Sequence, residues 1–335
     1  MIRVGLIGYG LAGAVFHGPL IRACAGLEET AVLTSREHPL RVDSAEELFD
    51  RSDLVVIASP NDSHFPLARA ALERGKHVVV DKPFMVTVKE ADALIALARD
   101  ADRMLTVFHN RRWASDFLSL RAVVPRLGEL FLVEANWDRF RPDVRQRWRE
   151  QPGVGTGLLA DLGPHMIDEM LQLFGMPEAV SADIFAQRPG ASVDDYFDLR
   201  FDYGRMRVCL RASSLVSAPR PRFAVHGSGG SFAKHGLDPQ EEQLKAGMDP
   251  FDPRFGVEEH SGTLTLPDGS TEQVPGERGR YLDFYKAVVA AILDEAPVPV
   301  APEDARDGIL LIDLARQAAA TGQHLPVRDA NSMEA

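Results

Sequence analysis

The sequence predicts an α/β part built on a doubly wound parallel sheet, followed by an α+β part with a large, mainly antiparallel open sheet. Three observations carry this. Over residues 1–125, short runs rich in Val, Ile and Leu alternate with amphipathic stretches, the pattern of strands buried on both faces and separated by helices. A glycine-rich turn stands between the first such run and the first helical stretch. After Gly128 the runs become longer, and some are joined by short turns, as antiparallel hairpins are.

In the first part, Val4–Ile7, Ala31–Thr34, Leu54–Ala58, His77–Val80 and Leu105–Phe108 read as strands. Two helix starts between them carry residues able to cap free N–H groups, Ser44 with Glu47 and Thr87 with Glu90. In the second part, Glu129–Asp138, Ala179–Gln187, Phe197–Asp202, Met206–Ala212 and Arg222–His226 read as strands, with a hairpin turn at Tyr203–Gly204. A helix is expected from Pro164 to Phe174. Proline at the first helical position loses no hydrogen bond, and Gly175 with Pro177 closes the helix. Two further helices are expected at Arg280–Asp294 and Pro302–Ala320. Residues 234–260 are polar and broken by Pro239, Pro250 and Pro253, which predicts a long loop or lid.

A chain of 335 residues is too long for one hydrophobic core, so two domains are expected, at 1–125 and 126–328, with a frayed tail at 329–335. Its 45% hydrophobic and 26% charged content is that of a globular protein. A formal net charge of −12 argues against a nucleic-acid partner, which needs a broad basic face. Cys24 and Cys209 fall in separate apolar contexts and read as small buried hydrophobes in a reducing compartment. No apolar run is long enough to span a bilayer and no leader precedes the first strand, so a cytoplasmic protein with no membrane partner is expected. No cluster of His, Cys and Asp has metal-ligand spacing.

The chemistry-bearing residues gather where strands end. Gly8-Tyr9-Gly10-Leu11-Ala12-Gly13 fits G-x-G-x-x-G between a strand and a helix, the Rossmann arrangement in which backbone approaches a pyrophosphate. Gly8, Gly10, Leu11, Ala12 and Gly13 are thus expected at a dinucleotide. The second strand ends in Thr34-Ser35-Arg36 in place of the acidic residue that would grip ribose hydroxyls. Ser35 and Arg36 suit the 2′-phosphate of NADP, while Glu37 keeps NAD open. Pro60, Asn61 and His64 follow the third strand, Asp81 and Lys82 the fourth, and His109, Asn110 and Arg111 the fifth, all at the ligand-facing edge of such a sheet. Asp161 and His165 stand four apart near a helix start, where the carboxylate could orient the ring for proton transfer or merely cap the helix. Trp137, Arg139 and Arg141 combine an aromatic face with hydrogen-bond donors, as a polyol pocket requires; a solvated charged face beside a core aromatic is the plainer alternative.

Together, the glycine motif, Pro60-Asn61-Asp62-Ser63-His64, Asp81-Lys82-Pro83 and the Asp161/His165 pair resemble the Gfo/Idh/MocA oxidoreductase family over nearly the whole chain. Asp81 departs from the glutamate most members carry. Within the family, the stretches from His64 to Ala68, Val78 to Phe84, Phe108 to Trp113, Asp138 to Pro142 and His235 to Glu242 are similar to the NADP-dependent scyllo-inositol 2-dehydrogenase subgroup. The resemblance implies Lys82, Asp161 and His165 as the catalytic group. It implies Pro60, Asn61, His64, Asp81, Lys82, Asn110 and Arg111, with the glycine turn, Ser35 and Arg36, at the cofactor. Lys82, His109, Trp137, Arg139, Arg141, Asp161 and His165 are implied at the substrate. It further implies a cyclic polyol or inosose substrate and a homodimer or homotetramer. The alternatives are a dehydrogenase or reductase of another sugar, a glycosidase that cycles bound NAD, and a non-catalytic dinucleotide-binding regulator.

Overall fold

A computed structural model describes residues 1–327, apart from the side chain of Trp148; the tail expected at 329–335 lies outside the described residues. The chain begins with strand β1 (Ile2–Ile7), a wide turn at Ala12–His17, helix α1 (Gly18–Ala23), β2 (Leu27–Leu33), β3 (Arg41–Val42), α2 (Ala45–Asp50) and β4 (Leu54–Ile57). It continues through α3 (His64–Glu73), β5 (His77–Val80), α4 (Val88–Asp100), β6 (Leu105–Val107), α5 (Ser115–Val123), β7 (Leu130–Asp138) and α6 (Leu158–Phe174). Then come β8 (Ala179–Phe185), β9 (Tyr196–Tyr203), β10 (Met206–Ser213), β11 (Phe223–Gly227), β12 (Gly230–Lys234) and α7 (Gln240–Lys245). The described chain finishes with β13 (Gly262–Thr265), β14 (Thr271–Val274), α8 (Leu282–Leu293), α9 (Pro302–Thr321) and β15 (Leu325–Pro326).

Among the described residues these strands form two sheets. The first is parallel throughout, in the order β3-β2-β1-β4-β5-β6. Chain order reverses beside β1, the switch point at which such sheets bind ligands beyond their strand ends. Its central strands are apolar on both faces because helices cover both: Leu54 to Ile57 and Val78 to Val80 are fully buried. The second sheet runs β14-β13-β12-β11-β7-β10-β9-β8-β15 and is antiparallel except where β7 meets β10. Its hairpin pairs Tyr203 with Met206, and Gly204 takes φ +65°, a left-handed conformation costly for other residues.

Two compact units result, but they are not consecutive. One unit comprises residues 1–114, 238–257 and 278–309. The other comprises 115–237, 258–277 and the described residues from 310 on. The division differs from a single break at 125 because Phe117, Leu120 and Val123 of α5 pack in the second core. Leu244, Phe255, Phe284 and Val300 return to the first. Residues 234–260 are mostly without helix or strand, as the expected loop would be, but they are tied down and carry one short helix. Lys234 ends a strand and is fully buried against Glu258, and α7 follows.

The capping signals hold. Thr87 and Glu90 form the reciprocal box, the Glu90 N–H donating to Thr87 Oγ1 and the Thr87 N–H to Glu90 Oε2, each at 3.1 Å. Ser44 accepts from the Glu47 N–H, whereas the Glu47 carboxylate takes the N–H of Asp43 instead of that of Ser44. Helix α6 corrects the sequence reading: it starts at Leu158, and Pro164 lies inside it. Its start is capped from a distance. The Leu158 N–H donates to the Asp194 carbonyl (2.8 Å) and the Leu159 N–H to Asp194 Oδ2 (2.7 Å). Both cysteines are free and buried, and burial pushes the Cys24 thiol up to about 11. Among the described residues no helix is long and apolar enough to cross a membrane.

Candidate active site

In the first unit the glycine turn shows three different uses of a missing side chain. A Cβ on Gly8 would lie 2.5 Å from the Ala58 carbonyl oxygen, and one on Gly13 would lie 2.0 Å from that of Gly8. Those two glycines let the turn pack on β4 and on itself. Gly10 is different, since nothing lies within 4 Å of where its Cβ would be. Open space there, beside the N–H groups of Leu11, Ala12 and Gly13 that open the following turn, fits a pyrophosphate. Ser35 and Arg36 follow β2 and are exposed, and the Arg36 N–H donates to Thr34 Oγ1 (3.1 Å). The Tyr9 ring meets His38 edge-on, with centroids 4.7 Å apart.

The strand ends place the remaining candidates of this unit. Pro60 and Asn61 lead into α3 after β4. His64 is 1% exposed, with Nε2 3.0 Å from the Ser59 carbonyl and Nδ1 3.0 Å from that of Pro83. Its ring thus ties the end of β4 to the segment after β5. Asp81 and Lys82 follow β5 directly, and the Asp81 N–H donates to the Ile57 carbonyl (2.8 Å). His109, Asn110 and Arg111 are buried after β6, and Arg111 Nη2 donates to Glu241 Oε2 (2.9 Å), anchoring α7.

The second unit brings its candidates together on α6 and β7. Because the helix starts at Leu158, Asp161 sits in its first turn and His165 one turn later on the same face. Asp161 lies 3.8 Å from both Arg139 Nη1 and Arg149 Nε. His165 is 7% exposed, and its ring centre is 6.2 Å from that of Trp137, the planes 33° apart. The Arg139 guanidinium also stands 5.8 Å from the Trp137 ring centre. A carboxylate, an imidazole, an indole and two guanidiniums therefore meet at one end of the helix. Arg141 lies just past this group, its N–H donating to the Ser214 carbonyl (2.7 Å).

Behind Trp137 is a cluster the sequence reading missed. Arg222 is 3% exposed and donates to Asp116 Oδ2 (3.0 Å) and to both oxygens of Glu169 (2.6 and 2.5 Å). Its guanidinium carbon lies 5.0 Å from the Trp137 ring centre. One signal was present: Glu169 continues the four-residue spacing of Asp161 and His165 along the helix. Arg222 and Asp116 gave none, being 106 residues apart.

Comparison with known proteins accords with the two-sheet fold. Residues 2–109 match the oxidoreductase family's NAD-binding Rossmann fold, and residues 124–328 match its C-terminal alpha/beta domain. YdgJ of Escherichia coli, an uncharacterized oxidoreductase, is 44% identical, covering 95% of this chain and 96% of its own. IolW of Bacillus subtilis, a scyllo-inositol 2-dehydrogenase (NADP(+)), is 38% identical over 94% of this chain and 93% of its own. The solved structure of the oxidoreductase yvaA from Bacillus subtilis superimposes with a TM-score of 0.95 at 37% identity, covering 98% of each chain. With the glycine turn, the two-sheet architecture and both halves of the sequence in agreement, the chain is an oxidoreductase with an NAD(P)-binding fold and belongs to the Gfo/Idh/MocA family.

Proposed function

We propose that the protein is an NADP-dependent dehydrogenase of cyclic polyols, interconverting scyllo-inositol or a close relative with its inosose. The observation that carries this reading is the Asp161–His165 face of α6, set against Trp137 and the arginines at 139 and 149. An aromatic ring suits the C–H face of a polyol and the guanidiniums its hydroxyls, while the imidazole is available for a proton. The bound nicotinamide would supply hydride transfer, and the protein position and electrostatics. His165 takes the proton of the reacting hydroxyl and returns it in the reverse direction, and Asp161 orients its ring. Lys82 hydrogen-bonds the reacting oxygen and supports its alkoxide character. Gly10, with the N–H groups of Leu11, Ala12 and Gly13, holds the pyrophosphate, and Ser35 and Arg36 hold the 2′-phosphate. The substrate and NADP-dependence of the relative IolW, a scyllo-inositol 2-dehydrogenase (NADP(+)), support the same choice.

The test is a screen of inositols, inososes and aldoses against NADP and NAD, followed by nicotinamide absorbance. Turnover of an inositol or inosose with NADP is expected. Turnover confined to aldoses, or to NAD, would replace the polyol or the cofactor assignment respectively.

A further inference from the structure

The wide turn after the glycine motif has a consequence inside the first unit. There the Gly18 N–H reaches back five residues to the Gly13 carbonyl, and His17 is left fully buried. Such turns are uncommon and concentrate where a side chain is put to use. His17 Nδ1 lies 2.6 Å from the hydroxyl of Tyr285 on α8, also fully buried. His17 Nε2 lies 3.6 Å from Asp81 Oδ1. Phe108 packs on the His17 ring, with centroids 4.4 Å apart, so the imidazole is held on its face as well as at its edges.

Donor chemistry fixes the direction of each contact. A carboxylate only accepts, so the nitrogen 3.6 Å from Asp81 carries hydrogen, and in a ring with a single proton Nδ1 is left to accept from Tyr285. Burial, with Asp81, Cys24 and Glu29 nearby, pushes the Tyr285 hydroxyl well above its ordinary range and keeps it a donor. For Asp81, burial pushes the carboxyl up. The facing His17, helped by Lys82 and His64, outweighs this and leaves it below its ordinary value.

We propose that His17 and Tyr285 are positioning residues for Asp81. Tyr285 holds the His17 ring, and His17 Nε2, 3.6 Å from the carboxylate, steadies Asp81 electrostatically at the end of β5, beside Lys82. Only the kinetic consequence rests on the dehydrogenase reading; the tautomer does not.

Nitrogen NMR of the histidine rings at pH 8, with His17 assigned by its loss in His17→Gln, reads the tautomer without cofactor or substrate. A wild-type ring protonated at Nε2 is expected, with an Nδ1 resonance that Tyr285→Phe moves toward the value of an unbonded acceptor. A wild-type ring protonated at Nδ1, or an Nδ1 resonance indifferent to Tyr285→Phe, overturns the arrangement. With an active substrate in hand, His17→Leu, similar in bulk but without a donor, should lower kcat about tenfold to a hundredfold and leave KM nearly unchanged. His17→Gln keeps an amide N–H within reach of Asp81 and should recover most of that loss. Equal losses in the two variants would mean that His17 only fills space, and the positioning role would fall. Failure to find any substrate would overturn the function proposed above while the NMR result still decides the arrangement.

Discussion

A methyl group on Gly13 would stand 2.0 Å from the carbonyl oxygen of Gly8, so these two residues meet backbone to backbone. Between them, the space beside Gly10 is open. Gly13→Ala should therefore destabilise the fold by about 2 kcal/mol, roughly 4–8 °C in Tm. Gly10→Ala should melt like the wild type and bind dinucleotide at least about tenfold more weakly. Thermal melts with and without NADP separate the two cases. A Gly10→Ala variant with undiminished cofactor affinity would show that the opening serves no ligand.

Arg36 is exposed just past β2, where no carboxylate from that strand's last residues can repel a phosphate. A charge-assisted hydrogen bond contributes about 1.5–3 kcal/mol, so Arg36→Ala should weaken NADP about tenfold to a hundredfold and leave NAD nearly unchanged. Dissociation constants for both cofactors, wild type and variant, check this. Equal weakening of both, or a wild-type preference for NAD, would transfer the role to Glu37.

Lys82→Ala or His165→Ala should lower turnover about a hundredfold or more, the usual contribution of a positioned proton-transfer group. His165→Ala should leave dinucleotide affinity nearly unchanged, because His165 lies outside the dinucleotide-binding unit. Steady-state kinetics with a binding isotherm resolves the two effects. Near-normal kcat in a folded variant removes that residue from the mechanism.

Asp194 secures the start of the helix that carries Asp161 and His165, and Asp194→Ala should cost about 1 kcal/mol. Its titration gives a sharper test. Burial pushes the Asp194 carboxyl above its ordinary value, outweighing the Leu159 N–H and Arg316, which favour the charged form. A raised carboxyl stabilises the fold below the ordinary carboxyl range, and that contribution is lost as pH rises through the raised value. Asp194→Asn cannot ionise, so its unfolding free energy relative to wild type should increase from about pH 3 to about pH 7. Urea unfolding across that range measures the difference, and a constant or shrinking one contradicts the account.

What could be read from the sequence was what neighbouring residues settle among themselves. The strands of the first sheet, the Thr87–Glu90 box and the Tyr203–Gly204 hairpin depend on patterns a few residues long, and all are present. The start of α6 was misplaced because its cap comes from Asp194, some 35 residues downstream, which made Pro164 the most visible local signal. β3 escaped notice because two residues carry no periodicity. Asp161 and His165 were legible by their spacing, whereas Arg222 and Tyr285 reach their partners across 53 to 268 residues and leave no local trace.

The pairing of Thr106 with Val300 also bears on how the chain is made. The Thr106 hydroxyl donates to the Val300 carbonyl (2.7 Å) and accepts its N–H (3.3 Å), 194 residues further on. β6, an edge of the first sheet, thus waits for nearly the whole polypeptide to leave the ribosome. Meanwhile the β9–β10 hairpin has everything it needs close at hand. Synthesis and closure therefore run in different orders, since a strand made early is completed by a segment made late. A chain cut short before residue 300 would lose the seal on its dinucleotide-binding sheet, damage at one end of the sequence appearing at the other.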